Sequence, residues 1–318
     1  MFSAAVFAYS EVGQRCLQVL LDQGVQVPLV FTHEDRAGEQ RWFASVAELA
    51  RSRGVRVATP LQPAAAPWLD EIRRSAPDYI LSFYYRSMLP PKLLQLARWG
   101  ALNMHGSLLP RYRGRAPVNW AIANGETETG ATLHYMVERP DAGPIVAQQA
   151  VAIGPDDDAL TVSMAVAAAA ARVLAGALPA MALGPPPGRP MDLAAGSYFG
   201  ARGPDDGRIE PHWPGLRVHA MIRAVAPPFP GAFVEVAGRR VIFASSHLSR
   251  ERAGHPALAP CLYARDGELF MDCKDGIRLR IGGVLLDGIA LDARGFQVRF
   301  GSEPWRFDSL PAIDEERS

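Results

Sequence analysis

The sequence predicts an α/β protein built on a doubly wound parallel sheet, followed by a small antiparallel β-barrel. Three observations carry this. Apolar strand-like runs alternate with helix-like stretches and short connections through the first half of the chain. A proline-rich stretch, GPPPGRP at 184–190, then breaks the rhythm. Beyond it come short strands punctuated by Asp-Gly pairs at 266–267 and 275–276, which are hairpin signals. A chain of 318 residues exceeds a comfortable single core. The expected division is a first domain over 1–188, a linker over 189–203 and a second domain over 204–318.

The elements follow in order. Residues 4–9 form a short apolar strand. Residues 11–23 form a helix with Val12, Cys16, Val19 and Leu20 on one stripe, closed by Gly24. Residues 25–31 are a second strand, 42–53 a helix stopped by Gly54, and 56–59 a brief strand. A helix is expected over 68–75, a strand over 78–83, a helix over 91–98 and a strand over 101–105. An irregular loop leads to a helix beginning at Pro117, a residue suited to a first helical turn. Strands are expected over 131–137 and 145–153. Asp156 to Asp158 cap a long helix reaching about residue 177, whose alanine run at 165–171 is suited to packing on a core. The barrel strands lie in VAGRRVIF, ARDGELFMDCKDGIRLRI and LLDGIALD.

Composition narrows the function classes. Hydrophobic residues make up 48% and charged residues 21%, as in ordinary globular proteins. Thirty-three basic residues balance 33 acidic ones, which argues against binding a long stretch of nucleic acid. Three cysteines (Cys16, Cys261, Cys273) make no disulfide framework and no CxxC pair. The N-terminus MFSAAVFAYS lacks the basic region and cleavage pattern of a signal peptide. The expectation is a reduced, cytoplasmic protein that holds no metal and does not insert in a membrane.

The chemistry-bearing stretch is NMHGS, 103–107. Side chains two apart on a strand share a face, so Asn103 and His105 point together and Met104 points away. A strand of a parallel sheet is normally apolar on both faces. An amide and an imidazole at its carboxyl end therefore mark a ligand site, since ligands bind at that end of open α/β sheets. Arg111, Arg113 and Arg115 follow at alternate positions, a positive rim suited to a carboxylate or phosphate. Asp141 sits in a turn between two apolar strands, a placement too weak to name by itself. No GxGxxG follows the first strand, so a Rossmann-type dinucleotide is not supported. No GxSxG elbow marks a nucleophile, so acid–base chemistry is favoured over covalent catalysis.

Residues 101–148, ALNMHGSLLPRYRGRAPVNWAIANGETETGATLHYMVERPDAGPIVAQ, resemble the 10-formyltetrahydrofolate-dependent formyltransferases. That family carries an Asn-x-His pair, an SLLPxYRG loop and a distal Asp in a D-x-G turn, all present here in order. Weaker similarity extends through SYFGARGPDDGRIEPHW and MIRAVAPPFPGAF. The branch most resembled is the formyltransferase half of the bifunctional polymyxin-resistance enzymes, which formylates UDP-4-amino-4-deoxy-L-arabinose in lipid A modification. The decarboxylating half of those enzymes is not expected here, because the sequence stops at Ser318.

The resemblance implies a Rossmann-like formyltransferase domain followed by an OB-like barrel. It implies 10-formyltetrahydrofolate as co-substrate and a UDP-linked amino sugar as acceptor, with a homo-oligomer compatible. It implies Asn103, His105 and Asp141 as catalytic residues. It places folate contacts at Ser87, Met88, Leu89 and Arg115, and at Val137, Glu138, Arg139 and Pro140 before Asp141. The alternative acceptor is the methionyl initiator tRNA, which would need a basic surface.

Overall fold

The computed structural model describes residues 2–34, 41–236, 239–253 and 260–306. The turn expected within VAGRRVIF and the stretch 307–318 of the expected second domain lie outside the described residues. Two compact units emerge. The first comprises 1–118, 128–153 and 161–201; the second comprises 119–127, 154–160 and 202–318.

In the first unit, β1 (Ser3–Ala8) is buried almost throughout. A near-continuous apolar run is what a central parallel strand, covered on both faces, requires. It is followed by α1 (Ser10–Asp22), β2 (Gln26–Phe31), α2 (Val46–Ser52), β3 (Arg56–Ala58), α3 (Ala66–Ser75), β4 (Tyr79–Phe83), α4 (Pro91–Leu94) and β5 (Gly100–His105). Then come β6 (Arg113–Gly114), α5 (Pro117–Ala123), β7 (Glu128–Tyr135), β8 (Ile145–Ala152), α6 (Ala159–Met181) and β9 (Tyr198–Phe199). The sheet runs β3-β2-β1-β4-β5-β7-β8. Strands β1 to β5 pair in parallel. The order reverses beside β1, the crevice where such sheets bind ligands.

The last two strands depart from an all-parallel sheet: β7 runs antiparallel to β5, and β8 antiparallel to β7. No crossover helix separates β7 from β8, and adjacent strands joined by a loop alone pair antiparallel. Below the sheet, the Phe7 and Phe31 rings stack with centroids 4.4 Å apart. Ile72, Ile80 and Leu93 extend the same cluster.

Two helices are shorter than the spacing predicts. Helix α2 starts only after Ser45, whose hydroxyl accepts from the Glu48 N–H at 3.2 Å, an N-cap. Helix α4 stops after one turn because the Arg98 and Trp99 amides bond to the Pro77 and Asp78 carbonyls, drawing the chain into β5. Strand β7 starts earlier than expected and ends at Tyr135, leaving Val137 in a loop. Helix α6 runs to Met181 and is long and apolar enough, by length and composition, to cross a membrane. Its Val162, Val166, Ala169, Ala170, Val173 and Leu174 are buried in the fold.

The stretch 189–203, expected as a linker, is tied to the first unit at Arg189 and at 197–199. Arg189 exchanges two backbone hydrogen bonds with Ile145, each 2.8 Å. Strand β9 pairs in parallel with β6.

In the second unit, α7 (Gly215–Val225) precedes β10 (Ala232–Val236), β11 (Arg239–Arg252), β12 (Cys261–Arg265), β13 (Glu268–Asp272), β14 (Ile277–Leu286), β15 (Ile289–Leu291), α8 (Ala293–Phe300) and β16 (Trp305–Arg306). The strands form an antiparallel half-barrel in the order β10-β11-β14-β13-β12-β16, with β15 on β14. The Asp-Gly pairs 266–267 and 287–288 take positive φ at both residues, the geometry of a tight hairpin turn. The stretch 154–160 joins this unit because the Arg223 guanidinium donates to the Gly154 and Asp157 carbonyls. His219 stands 2.9 Å from the Pro155 carbonyl.

Candidate active site

Strand β5 carries the site out of an apolar sheet. Its register with β7 sets Asn103 opposite His134 and His105 opposite Thr132. Asn103 and His105 therefore share a face, and across the ladder they meet a second polar pair with the same spacing of two.

Around them the chain closes a compact set of polar groups. Asn103 Nδ2 lies 3.2 Å from His134 Nε2 and 3.5 Å from Asp141 Oδ1. Asp141 Oδ1 lies 3.6 Å from His105 Nδ1 and 3.5 Å from His134 Nε2. Asp141 Oδ2 accepts from the Gly114 N–H at 2.9 Å, which ties the carboxylate to the arginine loop. Hydrogen bonds determine the tautomers. The Tyr112 carbonyl, 2.8 Å from His105 Nε2, can only accept, so Nε2 carries a proton and Nδ1 is left to exchange one. The Tyr135 carbonyl does the same at His134 Nδ1, 2.9 Å away, which leaves Nε2 to accept from the Asn103 amide.

The loop after β5 is braced from three sides. Thr132 donates to the Ser107 carbonyl at 2.6 Å and accepts from the Gln148 side chain at 2.7 Å and the Leu109 N–H at 3.3 Å. Ser107 donates to the Arg111 carbonyl. The backbone of 197–199 holds Tyr112, Arg113 and Arg115, with Ser197 Oγ accepting from the Tyr112 N–H at 2.9 Å.

Asp141 is mostly buried, and burial by itself would raise its carboxyl. The neighbouring His105 and the Gly114 N–H outweigh that and hold it well below the usual carboxylate range. An unfolded Asp titrates near about 3.9. Ionised Asp141 therefore stabilises the fold above about pH 4, and that contribution is lost as pH falls through the lower folded value. In thermal unfolding from pH 7 to pH 3, the advantage of wild type over Asp141→Asn is expected to hold down to about pH 4 and then to shrink. A gap that stays constant with pH would contradict this.

Of the residues expected in the site, Asn103, His105 and Asp141 come together. Ser87, Met88 and Leu89 lie between β4 and α4, beside the carboxyl end of β5. Leu89 is packed in the core, so only its backbone is free to meet a ligand. Arg115 is exposed and follows Gly114, while Val137, Glu138 and Arg139 are exposed on the loop into Pro140 and Asp141. His134, Thr132 and Gln148 were not anticipated from sequence. The repeat of the two-residue polar spacing in TLHY was the available signal. Among the described residues no group of three His, Cys, Asp or Glu is placed to hold a metal.

Comparison with known proteins bears on the fold and the family. Residues 4–178 match the family described as formyl transferase, and 203–298 match the formyl transferase C-terminal domain. An N-formyltransferase from Helicobacter canadensis, solved with folinic acid and dTDP-3-aminofucose, shares the fold with a TM-score of 0.69 at 18% identity, over 88% of this chain and 99% of that one. A sugar N-formyltransferase from Shewanella gives 0.60 at 20% identity, over 76% and 96%. HypX from Aquifex aeolicus, in complex with tetrahydrofolic acid, gives 0.65 at 18% identity, over 99% of this chain and 50% of that one. Matched over more than half its length by the first of these families, with the C-terminal domain following in order, the chain belongs to the formyl transferase family and is a formyltransferase.

Proposed function

We propose that the protein is an N-formyltransferase moving a formyl group from 10-formyltetrahydrofolate to the amine of a nucleotide-linked amino sugar, with UDP-4-amino-4-deoxy-L-arabinose as the acceptor. The observation that supports this reading best is the convergence of Asn103, His105 and Asp141 at the end of β5. The sugar amine attacks the formyl carbon and gives a tetrahedral oxyanion. The bond to folate N10 then breaks, N10 takes up a proton, and the products are the formamide and tetrahydrofolate. Asn103 Nδ2 donates to the oxyanion, and preorganised donors act most strongly where charge develops. His105 Nδ1 carries the proton from the amine towards N10. Asp141 stays ionised and stabilises the imidazolium. The folate seat comprises Ser87, Met88, the Leu89 backbone, Arg115 and the run Val137, Glu138, Arg139 and Pro140.

The test is an assay of purified enzyme with 10-formyltetrahydrofolate and three kinds of acceptor: UDP-4-amino-4-deoxy-L-arabinose, 3- and 4-amino hexoses linked to nucleotides, and methionyl initiator tRNA. A mass gain of one formyl group on the UDP-arabinose derivative supports the proposal. Formylation of the tRNA alone, or release of formate at full rate without any amine, rejects it.

A further inference from the structure

Five of the eight non-glycine residues with positive φ among the described residues gather at one end of the first unit's sheet: Ser10, Tyr84, Tyr112, Ala116 and Asp141. For a bulky side chain this backbone region is sparsely populated and strained, and it persists where the surroundings impose it. Tyr84, with φ 58°, is the residue directly after β4. Phe83 pairs with Met104, so Tyr84 lies alongside the chain where it turns out of His105 into Gly106.

The close approach there is extreme. A Cβ added to Gly106 would lie 1.7 Å from Tyr84 Oη and 2.9 Å from its Cζ. No side chain at 106 coexists with this placement of the phenol. A side chain at 106 would have to displace the Tyr84 hydroxyl from the space its Cβ would take.

Tyr79 and Tyr135 satisfy their hydroxyls within the fold, while the Tyr85 hydroxyl is sealed off without a partner. Tyr79 Oη donates to the Met181 carbonyl at 3.1 Å and the Gly184 carbonyl at 2.6 Å; Tyr135 Oη donates to the Pro186 carbonyl at 2.6 Å. Tyr84 Oη has no hydrogen-bond partner among the described residues, and it is not among the hydroxyls sealed off without one. Burial, with Cys16 and Asp141 nearby, pushes its phenol up, so the group remains a protonated donor at neutral pH. A free phenolic donor held by a strained backbone beside the reacting pair is placed for a ligand.

We infer that Tyr84 is a substrate-positioning residue, whose hydroxyl hydrogen-bonds the amine-bearing acceptor beside His105, and that Gly106 is the complementary residue that leaves this hydroxyl its place. This rests on the acceptor reading above and names one of the groups that grips it.

The test is steady-state kinetics on the acceptor that wild-type enzyme formylates. Tyr84→Phe removes only the oxygen. It is expected to lower kcat/KM for the acceptor about tenfold, the loss of one hydrogen bond, with the folate KM changed less than about twofold. Gly106→Ala, which displaces the phenol, is expected to lower acceptor kcat/KM at least as far. In a Tyr84→Ala background the same Gly106→Ala change is expected to cost little more, because nothing remains to displace. Three results would overturn the assignment: a Tyr84→Phe enzyme as efficient as wild type, equal losses for folate and acceptor, or fully additive losses in the double variant. A wild-type enzyme that formylates no nucleotide sugar overturns both readings; a competent wild type with an equally competent Tyr84→Phe variant overturns only this one.

Discussion

Replacing His105 with alanine is expected to lower kcat by about 10²–10⁴-fold, the range a positioned acid–base group contributes. His105 is 6% exposed, and its Nε2 proton is committed to the Tyr112 carbonyl, so the ring cannot turn to present the other nitrogen without breaking that bond. Every proton it handles must pass through Nδ1, which faces Asp141. The defect should fall on kcat and leave folate affinity nearly unchanged, because the proton moves only as the amine attacks and N10 departs. Stopped-flow formyl transfer together with equilibrium binding of folinic acid checks both halves. Retention of more than a tenth of wild-type kcat in a folded His105→Ala enzyme would remove His105 from the chemistry.

Replacing Asn103 with alanine is expected to cost about 10²–10³-fold in kcat, the loss of one oxyanion donor. Its amide also touches His134 Nε2 at 3.2 Å, so alanine leaves a buried imidazole acceptor unpaired as well. Asn103→Asp preserves the shape but replaces the donor with an acceptor towards both the oxyanion and His134, so it should be at least as inactive as alanine. An active Asn103→Asp enzyme would remove Asn103 from oxyanion stabilisation. Unfolding temperature measured in parallel reports the packing part of each change.

Much of this site was readable from the chain. Asn103 and His105 stood out because side chains two apart on a strand share a face, and polar residues are anomalous at that place in a buried parallel strand. The hairpin at Asp266-Gly267 was readable because both turn residues take positive φ, a demand met within two positions. Asp141 was not readable by spacing alone, since a turn aspartate is ordinarily structural. Its place in the polar cluster appears only when the loop brings it against His105, His134 and the Gly114 amide. The proline-rich stretch marked a linker over 189–203, but not that Ser197 within it bonds to Tyr112, 85 positions away.

The sequence by itself determined the strand and helix rhythm of the first unit, the hairpins of the second and the Asn103–His105 pair, because each rests on a period or turn confined to neighbouring residues. Only the tertiary structure decided that β7 runs antiparallel, that His134 faces Asn103, that 197–199 braces the arginine loop and that Tyr84 occupies the space above Gly106. These depend on register between strands far apart in the chain. A shift of one residue would turn every side chain to the opposite face, so local pattern cannot specify which distant partners meet.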